Sequence, residues 1–286
     1  MWPIFVFGTG RCGSTHVQRL ISLSTCCWVW GEHEGFLAPL VESVRRYETS
    51  PGLEQNVFRA GWRSDDELIS AMSLGSDPLS WLNRFDKHEF RTEVTVLVDR
   101  MFRSGLPRGW TEWGFKEILY GLDNNAPASL LRLYPAATAA FTFREPKTTI
   151  ESMIRTWSPE LLRGPPVFDE LSKLYKMRSR RWKLIVEYFL NLRHSDIKII
   201  FISSDKLNLP VETILHALGL SRTRSILESL HVTNRGLNNW PQWADDTLND
   251  LFAHDKCEFQ DLFARACARS QADFYAHATK EAGGAV

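Results

Sequence analysis

The chain has 286 residues, 44% of them hydrophobic and 12% aromatic, which suffices for one large α/β core or for two small domains. Its 34 basic and 34 acidic residues cancel to a formal net charge of zero, which argues against a protein dedicated to DNA or RNA binding. No run of about 18 apolar residues occurs, so the sequence predicts no transmembrane helix and no membrane partner.

The cysteines and the first residues bear on where the protein resides. Five cysteines is an odd number, and no paired CxxC motifs occur, so neither a disulfide framework nor a zinc site is predicted. The first apolar run begins at Ile4, which leaves no room for a signal peptide. We therefore expect a cytoplasmic protein.

The first predicted element is a short strand followed at once by a glycine-rich loop. Ile4–Phe7 is an apolar run of aromatic and β-branched residues, typical of a buried strand. Gly8 and Gly13 keep the spacing of the phosphate loop that binds nucleoside triphosphates, but Ser14 stands where that loop has lysine. Apolar residues at helical spacing follow. The residues expected to contact an anion are Gly8, Thr9, Gly10, Arg11, Cys12, Gly13, Ser14 and Thr15.

This order of strand, glycine turn and helix predicts an anion site. It brings several free backbone N–H groups and the positive end of a helix dipole to one point. Arg11 adds a planar, permanently charged guanidinium that suits phosphate oxygens. Because the lysine that contacts the β- and γ-phosphates is missing, the loop favours a nucleotide other than a simple triphosphate. A plain strand–helix turn with incidental glycines is the alternative.

The second predicted strand, Cys27–Trp30, is followed by a short acidic stretch. Glu32, His33 and Glu34 are candidates for a base, a role that requires hydrogen-bond reach to a substrate. A solvated acidic loop is one alternative, and a metal site is another, although no further ligand set has supporting spacing. Residues 36–112 form a predicted helical insertion, which we interpret as a lid or as a wall for an acceptor.

Three further apolar runs predict strands over Trp113–Lys116, Thr138–Phe143 and Ile197–Ile202. Helical patterns separate most of the strands, and the longest covers Leu171–Arg193. Strands that alternate with helices indicate a parallel sheet with helices on both faces. The sequence therefore predicts one domain over residues 1–286, an α/β three-layer sandwich that binds ligands at the carboxyl ends of its strands.

Arg144 and Ser152 mark a second candidate anion site. Arg144 follows the predicted strand that ends at Phe143, Pro146 fits a helix start, and Ser152 lies two turns into that helix. A guanidinium at a strand end and a hydroxyl eight residues later could converge on one anion. A salt-bridged arginine and a solvated serine are the alternative.

Together, the glycine loop and the Arg144–Ser152 pair resemble the sulfotransferases that use 3′-phosphoadenosine 5′-phosphosulfate (PAPS). The resemblance implies a P-loop nucleotide-binding fold in which the loop holds the 5′-phosphosulfate, while Arg144 and Ser152 hold the 3′-phosphate. The implied product nucleotide is adenosine 3′,5′-bisphosphate, and no metal is implied.

The resemblance extends beyond these two motifs. Residues 201–207 and 214–220 look like a late strand and short helix of the family. Asn234–Gly236 is similar to a basic loop that closes on the 3′-phosphate, which makes Arg235 and Gly236 further candidates, although the usual second basic residue is missing. Residues 36–110 have no counterpart.

The resemblance also implies catalytic roles. Lys116, at the end of the third predicted strand, is similar to a lysine that steadies the transferring group; a surface lysine is the alternative. Glu32, in a Gly-Glu context, is similar to the catalytic glutamate of the tyrosylprotein and trehalose sulfotransferases, with His33 and Glu34 as alternatives. Arg11 is expected to neutralise the 5′-phosphate.

Four tryptophans flank these residues in the sequence. They suit either an aromatic acceptor cleft or core packing, and we favour packing. They are Trp28, Trp30, Trp110 and Trp113.

The predicted reaction is in-line transfer of a sulfuryl group from PAPS to a hydroxyl, less favourably an amine, of a small molecule or carbohydrate. The sequence leaves the acceptor and the oligomeric state open. One rival is a small-molecule kinase that uses ATP and magnesium, with Asp205 as the candidate metal ligand. The other is a nucleotide-binding protein without enzymatic activity.

Overall fold

Five parallel strands form the central sheet of the protein. The computed structural model describes residues 3–50, 66, 69–70, 87–120, 125–162, 167–192, 198–223 and 241–282. The strands are β1 (Ile4–Gly8), β2 (Cys27–Trp30), β3 (Glu112–Glu117), β4 (Thr138–Phe143) and β5 (Lys198–Ser203). Their spatial order is β2-β3-β1-β4-β5, and every neighbouring pair is parallel.

Helices connect the strands and cover both faces of the sheet. They are α1 (Ser14–Ser24), α2 (Leu37–Thr49), α3 (Lys87–Ser104), α4 (Ala126–Leu133), α5 (Pro146–Trp157), α6 (Phe168–Asn191), α7 (Val211–Ala217) and α8 (Gln242–Ala282). Two short 3-10 helices span Pro159–Leu162 and Ser204–Asn208. The predicted α/β three-layer fold is confirmed.

The alternation of side chains along β1 explains the three layers. Phe5 and Phe7 enter one buried cluster, which includes residues of α2, α3, α4, α6 and α8. Ile4 and Val6 enter a second cluster with residues of α1 and α7. Because successive side chains of a strand point to opposite faces, a strand that is apolar at every position must be buried on both.

Aromatic side chains fill much of the first cluster. Trp113 is fully buried and stacks on Phe102 of α3, with ring centroids 4.6 Å apart. Trp28 meets Trp110 edge to face at 5.2 Å, and the Trp110 indole N–H donates to the carbonyl of Ser22 at 2.8 Å. Trp113 therefore packs in the core, whereas Trp28 and Trp110 are half-buried.

The described part of the predicted insertion belongs to the helical layer. Val41 and Val44 of α2 are buried beside Val94 and Val98 of α3. These helices cover the face of the sheet to which Phe5 points. None of the described helices combines the length and apolarity that would let it cross a membrane.

The order of the strands determines where the glycine loop lies. β1 is the middle strand, with Phe7 in register with Glu117 of β3 and Gly8 in register with Thr142 of β4. The chain places β2 and β3 on one side of β1, with β3 between β1 and the edge strand β2, and then adds β4 and β5 on the other side. The loop after β1 therefore lies at a topological switch point. Ligands of open α/β sheets bind at such points, beyond the carboxyl ends of the strands.

Candidate active site

The loop between β1 and α1 has the backbone geometry of an anion-binding nest. Gly10, Arg11 and Gly13 adopt left-handed conformations with φ of 79°, 51° and 91°. The helical hydrogen bonds of α1 begin with the N–H groups of His16 and Val17, which both donate to the Gly13 carbonyl. The N–H groups of the two preceding residues therefore lie in the first turn, where a helix has no internal acceptor for them. Such a turn presents N–H groups and a positive dipole end to an anion.

Thr142 of β4 anchors this loop, a role that no sequence motif signalled. Its Oγ1 donates to the Phe7 carbonyl at 3.0 Å and lies 3.0 Å from the Cys12 Sγ atom. Its own carbonyl accepts from the Thr9 N–H at 3.3 Å. A Cβ atom at Gly8 would lie only 2.4 Å from Thr142 Oγ1, so glycine is needed there for the loop to approach β4.

Lys116 connects three of the predicted site elements. Its residue surface is only 6% exposed, which corrects the alternative of a surface lysine. Its Nζ donates to Thr15 Oγ1 of α1 at 3.3 Å and forms an ion pair with Glu32 Oε1. The side chain of Glu32 keeps 38% of its surface exposed. The buried lysine thus joins the glycine loop to a carboxylate that solvent can reach.

The loop that carries Glu32 is held by Glu117, which the sequence analysis did not single out. Glu117 is 1% exposed, and its Oε2 accepts from the N–H groups of His33 at 3.3 Å and Gly35 at 2.9 Å. Its Oε1 accepts from the next two backbone N–H groups of its own chain, at 2.9 and 3.0 Å. Glu34 lies in the left-handed region with φ 52°, which costs a non-glycine residue about 1–2 kcal/mol.

His33 packs among aromatic rings rather than standing open to solvent. Its ring meets those of Phe36, Phe102 and Phe115 edge to face, with centroids 5.7, 5.4 and 6.5 Å apart. Burial lowers the pKa of His33 below its ordinary value, and the nearby Glu117 carboxylate opposes that shift only in part. Of the three candidate bases, Glu32 is the one paired with Lys116.

The structure brings Arg11 to Ser152 of α5. The Arg11 Nε donates to Ser152 Oγ at 3.1 Å, across 141 positions of the chain. Arg144 is half-buried at the carboxyl end of β4, beside the loop. Within the described ranges no hydrogen bond or ion pair joins Arg144 to Ser152. Arg235 and Gly236 lie outside the described residues.

Three apolar side chains that the sequence did not predict as neighbours form a wall beside the glycine loop. A Cβ atom at Gly10 would lie 3.1 Å from the Trp157 ring, 3.2 Å from Met153 and 3.6 Å from Ile118. The guanidinium of Arg178 in α6 lies over the Trp157 ring, 4.8 Å from its centroid. Trp157, which is not one of the four tryptophans selected from the sequence, therefore borders the loop at Gly10.

The kinase alternative requires a metal ligand, for which Asp205 was the candidate. Asp205 lies on the 3-10 helix after β5, with its side chain 70% exposed and 3.9 Å from Lys206 Nζ. In the part of the chain that the structure describes, no group of three or more His, Cys, Asp or Glu side chains could hold a metal ion.

Comparisons with known proteins identify the fold. No protein-family model matches the sequence. No curated protein matches it either. The structure is similar to the crystal structure of a sulfotransferase from Alicyclobacillus acidocaldarius, with a TM-score of 0.51 and 15% identity over 95% of this chain and 96% of that one.

Two mycobacterial proteins are also similar. The sulfotransferase STF1 of Mycobacterium tuberculosis H37Rv has a TM-score of 0.36 and 15% identity, over 93% of this chain and 76% of that one. The sulfotransferase STF9 of Mycobacterium avium has a TM-score of 0.40 and 13% identity, over 88% of this chain and 68% of that one. The Alicyclobacillus comparison shows that the chain has the sulfotransferase fold.

Proposed function

We propose that this protein is a sulfotransferase that moves a sulfuryl group from PAPS to a hydroxyl, less favourably an amine, of a small molecule or carbohydrate. The observation that carries the proposal is the buried Lys116, which contacts Thr15 of the phosphate loop and Glu32 at once. A cation for the transferring group and a candidate base are thereby placed beside a nest built for an oxyanion.

The residues around the loop fit the two anionic ends of such a donor. The first-turn N–H groups of α1 and the side chains of Ser14 and Thr15 would hold the 5′-phosphosulfate. Arg11 and Ser152, which already touch, would bind the 3′-phosphate together with Arg144. In this arrangement Arg11 contributes to the second anion site as well as to the loop. When bound, PAPS supplies a sulfuryl group joined to a nucleotide phosphate, which is a good leaving group.

The side chains then have separate tasks. Lys116 Nζ places a positive charge where negative charge grows during transfer, and burial strengthens that interaction because water is excluded. The Glu32 carboxylate takes the proton from the acceptor hydroxyl, for which its partly exposed side chain is accessible. Thr15 keeps Lys116 directed at the loop. Positioning and electrostatics supply most of the rate, as in phosphoryl transfer.

The direct test is incubation with PAPS and a panel of phenols, alcohols, sugars and amines. We expect adenosine 3′,5′-bisphosphate and a sulfated acceptor in equal amounts, measured by mass spectrometry. Glu32→Gln should lower turnover by about 100-fold or more, because positioned acid–base catalysis contributes that much, while binding of the product nucleotide is unchanged.

Glu34→Gln is the matched comparison, because Glu34 lies in the same loop, is exposed and was an alternative base. Full activity of Glu32→Gln would reject Glu32 as the base, and loss in Glu34→Gln alone would transfer the role to Glu34. Absence of both product formation and nucleotide binding by the wild type would reject the proposed function, whereas magnesium-dependent ATP turnover would favour a kinase.

A further inference from the structure

We propose that Glu117 is a positioning residue, whose buried carboxylate holds the loop of residues 31–35 so that Glu32 stays against Lys116. This inference rests on the proposed function, because the position of Glu32 matters for activity when Glu32 is the base. Four backbone N–H groups donate to the one carboxylate, two from the Glu32 loop and two from the chain just after β3.

Two consecutive residues at the end of β3, on opposite faces of the strand, both contact this loop. Lys116 and Glu117 are consecutive, so their side chains leave the strand on opposite sides. Lys116 binds the carboxylate of Glu32, and Glu117 binds the backbone of His33 and Gly35. The same strand end thus determines both where the base lies and which cation it meets.

The shape of the loop depends on these hydrogen bonds. Glu34 and Gly35 are consecutive left-handed residues, with φ of 52° and 73°. This turn brings the N–H groups of His33 and Gly35 to a single oxygen, Oε2. Without that acceptor, Glu34 would have less to hold it in a conformation that non-glycine residues disfavour.

A packing role alone does not account for a charged residue at this position. Trp113 and Phe115 share the face of β3 with Glu117, and all three are at most 1% exposed. An apolar residue would suit these surroundings, since burying a carboxylate is costly unless its lone pairs are satisfied. Among the described residues no lysine or arginine pairs with Glu117, and the four N–H groups fill the acceptor capacity of the ionised group.

Glu117→Gln tests this role with little change of shape. The amide offers one oxygen to four donors and directs its own N–H groups at two of them, so the loop should be released. With PAPS and the best acceptor of the panel, we expect kcat to fall by about 10- to 100-fold. The affinity for adenosine 3′,5′-bisphosphate, measured by calorimetry, should be unchanged, and hydrogen exchange of residues 31–36 should be faster.

Two further variants separate the role of the Glu117 carboxylate from the general effect of replacing a glutamate in β3. Glu112→Gln carries the same substitution at the other end of β3, where Glu112 pairs with Arg103 at 3.3 Å, and it should keep the kcat and the loop exchange of the wild type. Glu117→Asp keeps the charge on a shorter side chain, so its kcat should lie between those of the wild type and Glu117→Gln.

Two results would overturn the proposal. One is unchanged hydrogen exchange of residues 31–36 in Glu117→Gln; the other is faster exchange with a wild-type kcat. The exchange measurement needs no turnover, so it tests the hold on the loop separately. A wild type that neither forms product from PAPS nor binds adenosine 3′,5′-bisphosphate, together with faster exchange in Glu117→Gln, would reject the proposed function. The role of Glu117 in holding the loop would still be supported.

Discussion

Lys116 and Glu117 are neighbours in the sequence, yet only Lys116 was selected from it. Lys116 became a candidate because it is similar to a lysine of the PAPS sulfotransferases that steadies the transferring group. The role of Glu117 depends on a loop some 80 positions away, because its partners are backbone N–H groups whose positions no spacing of residue types encodes. The same reason explains why Thr142, which anchors the glycine loop, was missed.

Protonation of His33 should make the free energy of unfolding depend on pH. Its pKa in the folded protein is below the ordinary value of 6.5, so the unfolded chain takes up the proton first as the pH falls. The stability associated with neutral His33 is complete above about pH 6.5 and is lost as the pH falls below that value. His33→Gln should therefore show a smaller drop in the free energy of unfolding between about pH 7 and about pH 5. Urea denaturation at the two pH values measures the free energy of unfolding, and an equal drop in the wild type and in His33→Gln would contradict the prediction.

Among the elements, the junction of β1 and α1 is tightly constrained. Gly13 caps α1 with φ 91°, and a Cβ atom there would lie 2.3 Å from Leu207 Cδ1. Gly13→Ala should lower the free energy of unfolding by at least about 1 kcal/mol, because alanine disfavours a positive φ. It should also weaken binding of adenosine 3′,5′-bisphosphate.

The control for this substitution is Gly31→Ala. A Cβ atom at Gly31 would meet no heavy atom within 4 Å, so its unfolding free energy should change little. Denaturant unfolding and calorimetry compare the two variants. A Gly13→Ala protein as stable as Gly31→Ala would show that the geometry of the loop is not needed for the fold.

The elements differ in how far the sequence predicted them. All five strands were placed to within a residue or two, because each is a short stretch rich in aromatic, β-branched or small apolar residues. The role of α3 was not foreseen, although its Phe102 stacks on Trp113 in the centre of the core. The long α8 was not predicted, because its buried residues contact different partners along its length.

At the scale of the whole molecule, a neutral chain concentrates positive charge at one edge of its sheet. The 34 basic and 34 acidic residues balance overall. The fold brings Arg11, Lys116 and Arg144 to the carboxyl ends of β1, β3 and β4, where the dipole of α1 also points. Net charge therefore argued against a broad nucleic-acid surface but could not reveal this local cluster of positive charge, because the order of the strands assembles it.

We expect this edge of the sheet to bind a nucleotide with phosphates at both the 5′ and the 3′ position. The measurement is calorimetric titration of the wild type with adenosine 3′,5′-bisphosphate and with adenosine 5′-monophosphate, without magnesium. Hydrogen bonds to charged groups contribute about 1.5–3 kcal/mol, so the bisphosphate should bind at least about tenfold more tightly. Equal affinity for the two nucleotides, or tighter binding of ATP with magnesium than of either, would contradict the account.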